Sequence, residues 1–475
     1  MARLWNSDSR SLNSRKIDMQ HKILIANRGE IALRVIRACR ELGHQSVLIY
    51  SNADKDSLPV RMADEAICIG DAAAKDSYLK LDRIIAAADV CGADAIHPGY
   101  GFLSENVHFA EVCEAYHIHY IGPSSKSILM MGNKNKARKL MQSAGVPVVP
   151  GSDDVVMTVS DARHWASKIG YPIMIKASAG GGGKGMRPVY SEDDLENEFL
   201  AAQSEARQAF ASNEMFIEKL IVNPKHVEIQ ILADTRGHIV HLGERDCSMQ
   251  RRHQKVIEES PCLNLSSRTR RHLGEAAIKA AKSVGYTGAG TVEFLWEKDD
   301  KFSFMEMNTR IQVEHPVTEM VTGLDLVKEQ IRLAFGEKLG YSQKEIKING
   351  CAIEIRINAE DVRKRFAPAP GQISLYSPAG GPGVRMDSHI YSGYTIPQYY
   401  DSLLGKLIVW GRDRNEAIAR AKRALRETII QGVPTNTKFS IHLLGLDSFA
   451  NGTYNINTIE DELGKLELTD LEQLS

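Results

Sequence analysis

The chain has 475 residues, 43% hydrophobic and 25% charged, the balance of an ordinary globular protein with room for roughly two to four domains. Lys and Arg number 59 against 60 Asp and Glu, so a net charge of -1 offers nucleic acid or an acidic membrane no bulk attraction, and any anion site must be local. Seven cysteines, odd in number and without a CxxC pair, predict reduced thiols and a cytoplasmic location, and no run approaches the ~18 apolar residues that span a bilayer.

Residues 1–20, MARLWNSDSRSLNSRKIDMQ, are rich in Ser and Arg and lack periodicity, which predicts a disordered tail, with a transit peptide as the alternative. KILIAN at 22–27 is an apolar strand that runs into GEIALRVIRACRELG, where Ile31, Val35, Ala38 and Leu42 recur at helical spacing. VLIY at 47–50, AIHPGYG at 95–101 and YIGPSS at 120–125 read as further strands ending in Gly and Pro turns, an alternation that predicts a parallel α/β sheet. Only one glycine follows KILIAN where a GxGxxG dinucleotide fingerprint needs three, so this sheet is read as structural. From 134 to 335, strands alternate with Gly clusters and carry charged residues inside their patterns. Residues 351–410 read mainly as strands, and 413–431 as a helix with Ala417, Ala421, Ala424 and Leu425 facing inward.

The chemistry is concentrated in the middle of the chain. In IKASAGGGGKGMR, 175–187, an apolar strand ends in four glycines, which predicts a flap whose bare N–H groups fold over phosphate oxygens, with Lys176 and Lys184 adding charge. It lacks the GxxxxGK[ST] spacing of a Walker loop. TVEFLWEKDDKFSFMEMN, 291–308, reads as a hairpin turning between Asp299 and Asp300, which sets Glu293 opposite Glu306 with Leu295 and Asn308 on the same face. Two carboxylates about 5 Å apart repel by roughly 3 kcal/mol at an effective dielectric of 20, and a divalent cation reverses that sign. In TRIQVEHPVTE, an extended chain would point Arg310, Gln312 and Glu314 one way, a set suited to a small planar oxyanion that also loses a proton. The basic cluster Arg251, Arg252, His253 and Lys255 has no aromatic residues for base stacking and is flanked by acids, so it fits small anions and not nucleic acid.

IANRGEIA, HPGYGFLSEN, KASAGGGGKGM, HVEIQ, ERDCSMQRRHQK, EMNTRIQVEHPVTE and RINAED, in this order over residues 21–463, resemble the motifs of the biotin carboxylase family. The resemblance implies a multidomain α/β and α+β fold: a Rossmann-like N-terminal domain at 21–133, an ATP-grasp domain at 134–335 with a lid at about 150–222, and a mixed, β-rich C-terminal domain at 351–460. It implies that Lys134 and Lys176 hold ATP phosphates under Gly182 and Gly183. Glu218, Lys219, Leu220 and Ile221 would form the adenine hinge, aided by His226, Gln250 and His253. Glu293, Glu306 and Asn308 would hold two Mg2+ or Mn2+ ions; Lys255, Arg310, Gln312 and Val313 would hold bicarbonate; Glu314 would be the base and Arg356 would meet biotin. Lys184 stands where many members carry Arg. No AMKM-like attachment site occurs, so biotin is expected as a substrate on a separate carrier protein, with carboxyltransferase subunits as further partners and a homodimer as the assembly. Alternatives are another ATP-grasp ligase joining a carboxylate to an amine, and a nucleotide-binding regulatory subunit without turnover; RIQVEHP and RINAED speak against the first, the intact carboxylates and Arg310 against the second.

Overall fold

The computed structural model describes residues 20–178, 186–210 and 212–474. The expected tail and the Gly flap with Gly182, Gly183 and Lys184 lie outside these, apart from Gln20.

The N-terminal strands form a five-stranded sheet in the order Glu65–Gly70, Gln45–Ser51, Lys22–Ile25, Ala95–His97, His119–Tyr120, each pair parallel. Strand order reverses on either side of Lys22–Ile25, so the turns after it and after Ala95–His97 face each other at the carboxyl edge. The Asn27 amide ties these turns together by donating to Pro98 O at 2.7 Å and Tyr100 O at 2.8 Å. Gly99 needs to be glycine twice over: its φ is +62°, and a Cβ would lie 2.8 Å from the Asn27 amide nitrogen. The helix Gly29–Glu41 begins at this turn and buries Ile31, Val35 and Ala38, three of the four residues its spacing singled out; Leu42 lies one residue past its end, half-buried.

The largest element is an eight-stranded sheet, in the order Lys301–Asn308, Gly288–Lys298, Lys225–Ala233, Ile239–Arg251, Gln254–Ser260, Cys351–Asn358, Leu403–Gly411, Val384–Ser388, antiparallel throughout. Between Gln254–Ser260 and Cys351–Asn358 the sheet passes from the middle of the chain to its C-terminal third, with Ile257 opposite Ile355 and Glu258 opposite Glu354. A sequence gap of about ninety residues is therefore bridged by ordinary strand pairing. One core packs around the helix Ser267–Ser283, with Leu273, Ala277, Ala280 and Phe294; another packs Ile353, Ile355 and Leu407 against the helix Arg414–Glu427. That last helix buries the four residues read as its inner stripe, but it stops at Glu427 and is followed by the strand Ile429–Gln431.

A smaller antiparallel sheet, Met186–Val189, Ile173–Ala177, Met215–Lys219, carries the helices Val159–Ile169 and Glu192–Phe210 and has its own core of Ala162, Ile173, Ile175, Phe199 and Ile217.

The seam at Ile355 is testable. Ile355 is fully buried and central to the C-terminal core. Ile355→Ala is expected to lower unfolding free energy by about 2–5 kcal/mol in urea melts, the range of buried aliphatic truncations.

Candidate active site

The hairpin pairs Glu293 with Glu306, as its sequence predicts, although by a less direct route. Register slips by one residue over Phe294–Trp296 and slips back, so two irregularities cancel. On its other edge Glu293 pairs with Glu228, and Glu228 pairs with Arg245. Three carboxylates and a guanidinium thus lie in one row across four strands. Arg245 is wholly buried and fixed by Glu228, by Gln230 at 2.7 Å, and by Thr318 and Thr291 at 3.0 Å each. Lys255, at the start of its strand, reaches over this row: its ammonium donates to Glu228 at 2.7 Å, Glu293 at 3.1 Å and Glu314 at 2.6 Å. Each of the three ammonium hydrogens thus has a carboxylate acceptor.

Residues 309–315 are not the extended strand that their alternation suggests. Val313 and Glu314 form a turn, and the helix His315–Thr322 starts directly after it with Pro316 in its first turn. Proline at that position is pre-set for a helix start and ends the alternation. The turn sends Gln312 to Glu293 at 2.8 Å, and Glu314 to Lys255 and to Arg356 at 2.9 Å. Arg310 points elsewhere, onto Glu105 at 3.0 Å and Asn308 Oδ1 at 3.3 Å. The three polar groups therefore do not share one face; Gln312 and Glu314 converge, and Arg310 flanks them through Asn308. Arg356 comes from the C-terminal third, across the seam, and its guanidinium spans Glu314 and Glu258, the latter at 2.6 Å.

Electrostatics follow from this packing. Burial alone would raise the pKa of Glu228, but Arg245 and Lys255 outweigh it and hold that carboxyl at about 2. Burial is likewise overcome at Glu293, chiefly by Lys255 and His226, and at Glu314, chiefly by Lys255, so both stay ionised at neutral pH. Lys255 is pushed up, because Cys247 and the three carboxylates outweigh its desolvation. Glu258 differs: burial dominates, Glu314 adds to it, Arg356 offsets only part, and its carboxyl is raised to about 7.

The remaining expected residues divide between two places. Lys176 pairs with Glu218 at 2.5 Å on the small sheet. Lys219 turns back to Gly170 O and Tyr171 O, and the Leu220 N–H donates to Pro172 O at 3.0 Å; Leu220 and Ile221 are half-buried. Lys134 begins the helix Lys134–Ser143, and its side chain lies outside the described part. On the large sheet, His226 Nε2 is 3.0 Å from Glu293 Oε2, Gln250 is buried opposite Lys255, and His253 is exposed at a left-handed turn with φ 64°. Glu228, Arg245, Glu258 and Glu105 were not singled out from sequence. The signal for the first two was present: charges inside HVEIQ and ERDC, on strands buried along nearly their whole length, must be paired.

The oxygen donors suit a hard divalent cation. Glu293 and Glu306 face each other in the sheet, Asn308 lies two pairs further on the same strand as Glu306, and a carboxylate row in which Glu293 has acids on both edges favours added positive charge. Asn308 now turns its amide nitrogen to Glu293 at 2.8 Å, so ligation through its oxygen requires that amide to rotate.

Residues 19–128 match the family described as the biotin carboxylase N-terminal domain, 133–342 the ATP-binding domain of the carbamoyl-phosphate synthase L chain, and 354–461 the biotin carboxylase C-terminal domain. Biotin carboxylase 1 of Bacillus subtilis is 55% identical over 443 residues, covering 93% of this chain and 98% of the relative. A pyruvate carboxylase subunit of Methanothermobacter thermautotrophicus is 54% identical over 443 residues, 93% of this chain and 90% of its own length. The biotin carboxylase domain dimer of Hydrogenobacter thermophilus 2-oxoglutarate carboxylase, solved with MgADP, ADP and bicarbonate, superposes with a TM-score of 0.88 at 48% identity, covering 94% of this chain and 98% of that one.

A depressed carboxylate stabilises the fold above its unfolded pKa, and that contribution disappears as pH falls through its folded value. For Glu228 the window runs from about 4.5 down to about 2. Glu228→Gln is expected to destabilise the protein at pH 7 and to lose less additional stability than the parent between pH 4.5 and 2, as read by denaturant melts across that range.

Proposed function

The chain belongs to the biotin carboxylase family, and from that premise we propose that it is an ATP-dependent ligase that carboxylates biotin carried on a separate protein, by way of carboxyphosphate. The observation that carries this reading is the meeting of Arg356, from RINAED, with Glu314, from RIQVEHP, in one buried network with Lys255. A ligase that joins a carboxylate to an amine has no task for that pair.

In this reading Lys255, Arg310, Gln312 and the Val313 backbone hold bicarbonate, and Glu314 removes its proton. The bicarbonate oxygen attacks the γ-phosphorus of ATP, ADP leaves, and carboxyphosphate results. Lys134, Lys176, Gly182 and Gly183 hold the phosphates, and Glu218 to Ile221 with His226, Gln250 and His253 hold the adenine side. Glu293, Glu306 and Asn308 hold two divalent ions, Mg2+ or Mn2+, which when bound supply charge stabilisation for the transferring phosphoryl group. Carboxyphosphate then yields carbon dioxide and phosphate; the phosphate takes the ureido N–H proton of biotin, Arg356 stabilises the enolate, and the nitrogen attacks carbon dioxide. The lysine's three carboxylate contacts support this assignment, since a bicarbonate arriving there exchanges one anion for another. The division at 21–133, 134–335 and 351–460, with 150–222 as a lid, belongs to the same proposal. Its support is the separate core of the small sheet.

The complex served is proposed to be acetyl-CoA carboxylase, in the first half-reaction toward malonyl-CoA and fatty acids, with a biotin carboxyl carrier protein and carboxyltransferase subunits as partners. The near end-to-end match to a free-standing biotin carboxylase supports this, while comparable identity to a pyruvate carboxylase subunit keeps pyruvate or another acyl-CoA carboxylase as the second reading. A homodimer is proposed by analogy with the Hydrogenobacter domain dimer. The seven free cysteines suit a reducing, cytoplasmic setting, and no described helix is long and apolar enough to cross a membrane.

With ATP, Mg2+ and bicarbonate, purified protein should release ADP faster when free biotin is added, and Arg356→Ala should lose that stimulation. ADP release that responds to an amine or another carboxylate and not to biotin rejects the proposal. Glu314→Gln should lower the bicarbonate-dependent rate by about 10²–10⁴-fold, the usual contribution of a general base, with a smaller change in the KM for ATP.

A further inference from the structure

Two motifs, RGEIA and HPGYG, have no part in the steps above, and both end beside a buried lysine. Lys406 lies in the strand Leu403–Gly411 and is wholly inaccessible to solvent. Its ammonium donates to Val313 O at 2.7 Å and stands 3.1 Å from Glu30 Oε1. Glu30 opens the first turn of Gly29–Glu41, and its Oε1 also accepts the Tyr100 hydroxyl. Tyr100 is held in turn by the Asn27 amide, which binds its carbonyl. One ammonium on a C-terminal strand therefore touches the N-terminal helix Gly29–Glu41 and the turn that carries Gln312 and Glu314. Lys406 is also the cross-strand neighbour of Arg356, so adjacent strands hold both ends of this turn, Arg356 through the Glu314 side chain and Lys406 through the Val313 carbonyl.

We infer that Lys406, anchored by Glu30 and Tyr100, is a positioning residue for bicarbonate: it fixes the Val313–Glu314 peptide and with it the direction in which Glu314 leaves the backbone. The physical basis is simple. A carbonyl and the N–H that follows it belong to one rigid plane, so fixing Val313 O fixes the Glu314 N–H on the opposite side. A hydrogen bond from a buried charged donor is stronger than one between neutral groups, and it favours a single turn conformation. Desolvation opposes the charge on Lys406, but Glu30, Glu354 and Asp387 face it and outweigh both desolvation and Arg385, so it remains an ammonium. The closest precedent in this chain is Arg245, which holds Glu228 and touches no predicted ligand; Lys406 does the same for backbone.

The inference rests on the bicarbonate assignment, so one of its tests does not use activity. Lys406→Met keeps length and removes the donor; Glu30→Gln keeps the donor and removes its anchor. Hydrogen exchange of the folded variants should be faster than in the parent at residues 310–317 and unchanged in the helix Ser267–Ser283. In steady-state assays Lys406→Met should raise the KM for bicarbonate about tenfold or more, with the KM for ATP within about twofold, and Glu30→Gln should move it about threefold in the same direction. Unchanged exchange at 310–317 in both variants, or equal changes in both KM values, overturns the inference. If Lys406→Met does not fold, Glu30→Gln decides alone, and unaltered loop exchange and bicarbonate KM in it overturn the inference too. A parent enzyme that releases no ADP in response to bicarbonate sinks the functional proposal instead, and leaves the exchange result to judge the tether.

Discussion

One ammonium group set against three buried carboxylates governs the rest of the centre. Lys255 can satisfy Glu228, Glu293 and Glu314 together only because three strands and a turn arrive in fixed register: Glu228 opposite Glu293, Gln250 opposite Lys255, and Pro316 closing the turn just after Glu314. With carboxylates this close, losing any one cation leaves a charge that the interior cannot solvate, and breaking such a pair typically costs about 3–5 kcal/mol. The network is therefore fragile to removal of its parts yet responsive to substitution of one anion for another. That is a property a small-anion site requires.

The same balance gives the acids different characters. Glu228, Glu293 and Glu314 share Lys255 and remain charged, while Glu258 is held mainly by Arg356, feels Lys255 more weakly, and has its carboxyl raised to about 7 by burial. Sequence types alone do not distinguish them; the distinction comes from which cation each one meets.

Much of this was readable from the chain because the relevant spacing was local. Glu293 and Glu306 could be set opposite each other by counting from the turn, and the count survived because its two slips cancel. The inner face of Arg414–Glu427 followed from alanines at helical spacing. The reading of 309–315 failed for a local reason too, since alternation was followed past the point where Pro316 starts a helix. What stayed hidden was pairing between distant segments. Nothing near Glu228 in sequence announces Arg245 on the next strand as its partner, nothing near Val313 announces Lys406 ninety-three positions later, and nothing in RGEIA says that its glutamate ends beside that lysine. Motif order pointed to the family, and three-dimensional proximity was needed to give the motifs their neighbours.

The continuous eight-stranded sheet has a bearing on how such proteins can be recombined. Glu258 and Glu354 are cross-strand partners, so the stretch between about 335 and 351, which looks like a natural place to join two gene segments, leads into a seam of backbone hydrogen bonds. A chimera spliced there would have to match strand twist, side-chain volume and buried charge on both sides at once. Joints outside the sheet, before residue 20 or beyond the helix Thr458–Leu463, disturb none of that pairing. The enzyme is thus suited to being inherited, fused or borrowed as one indivisible cassette, with novelty added at its ends.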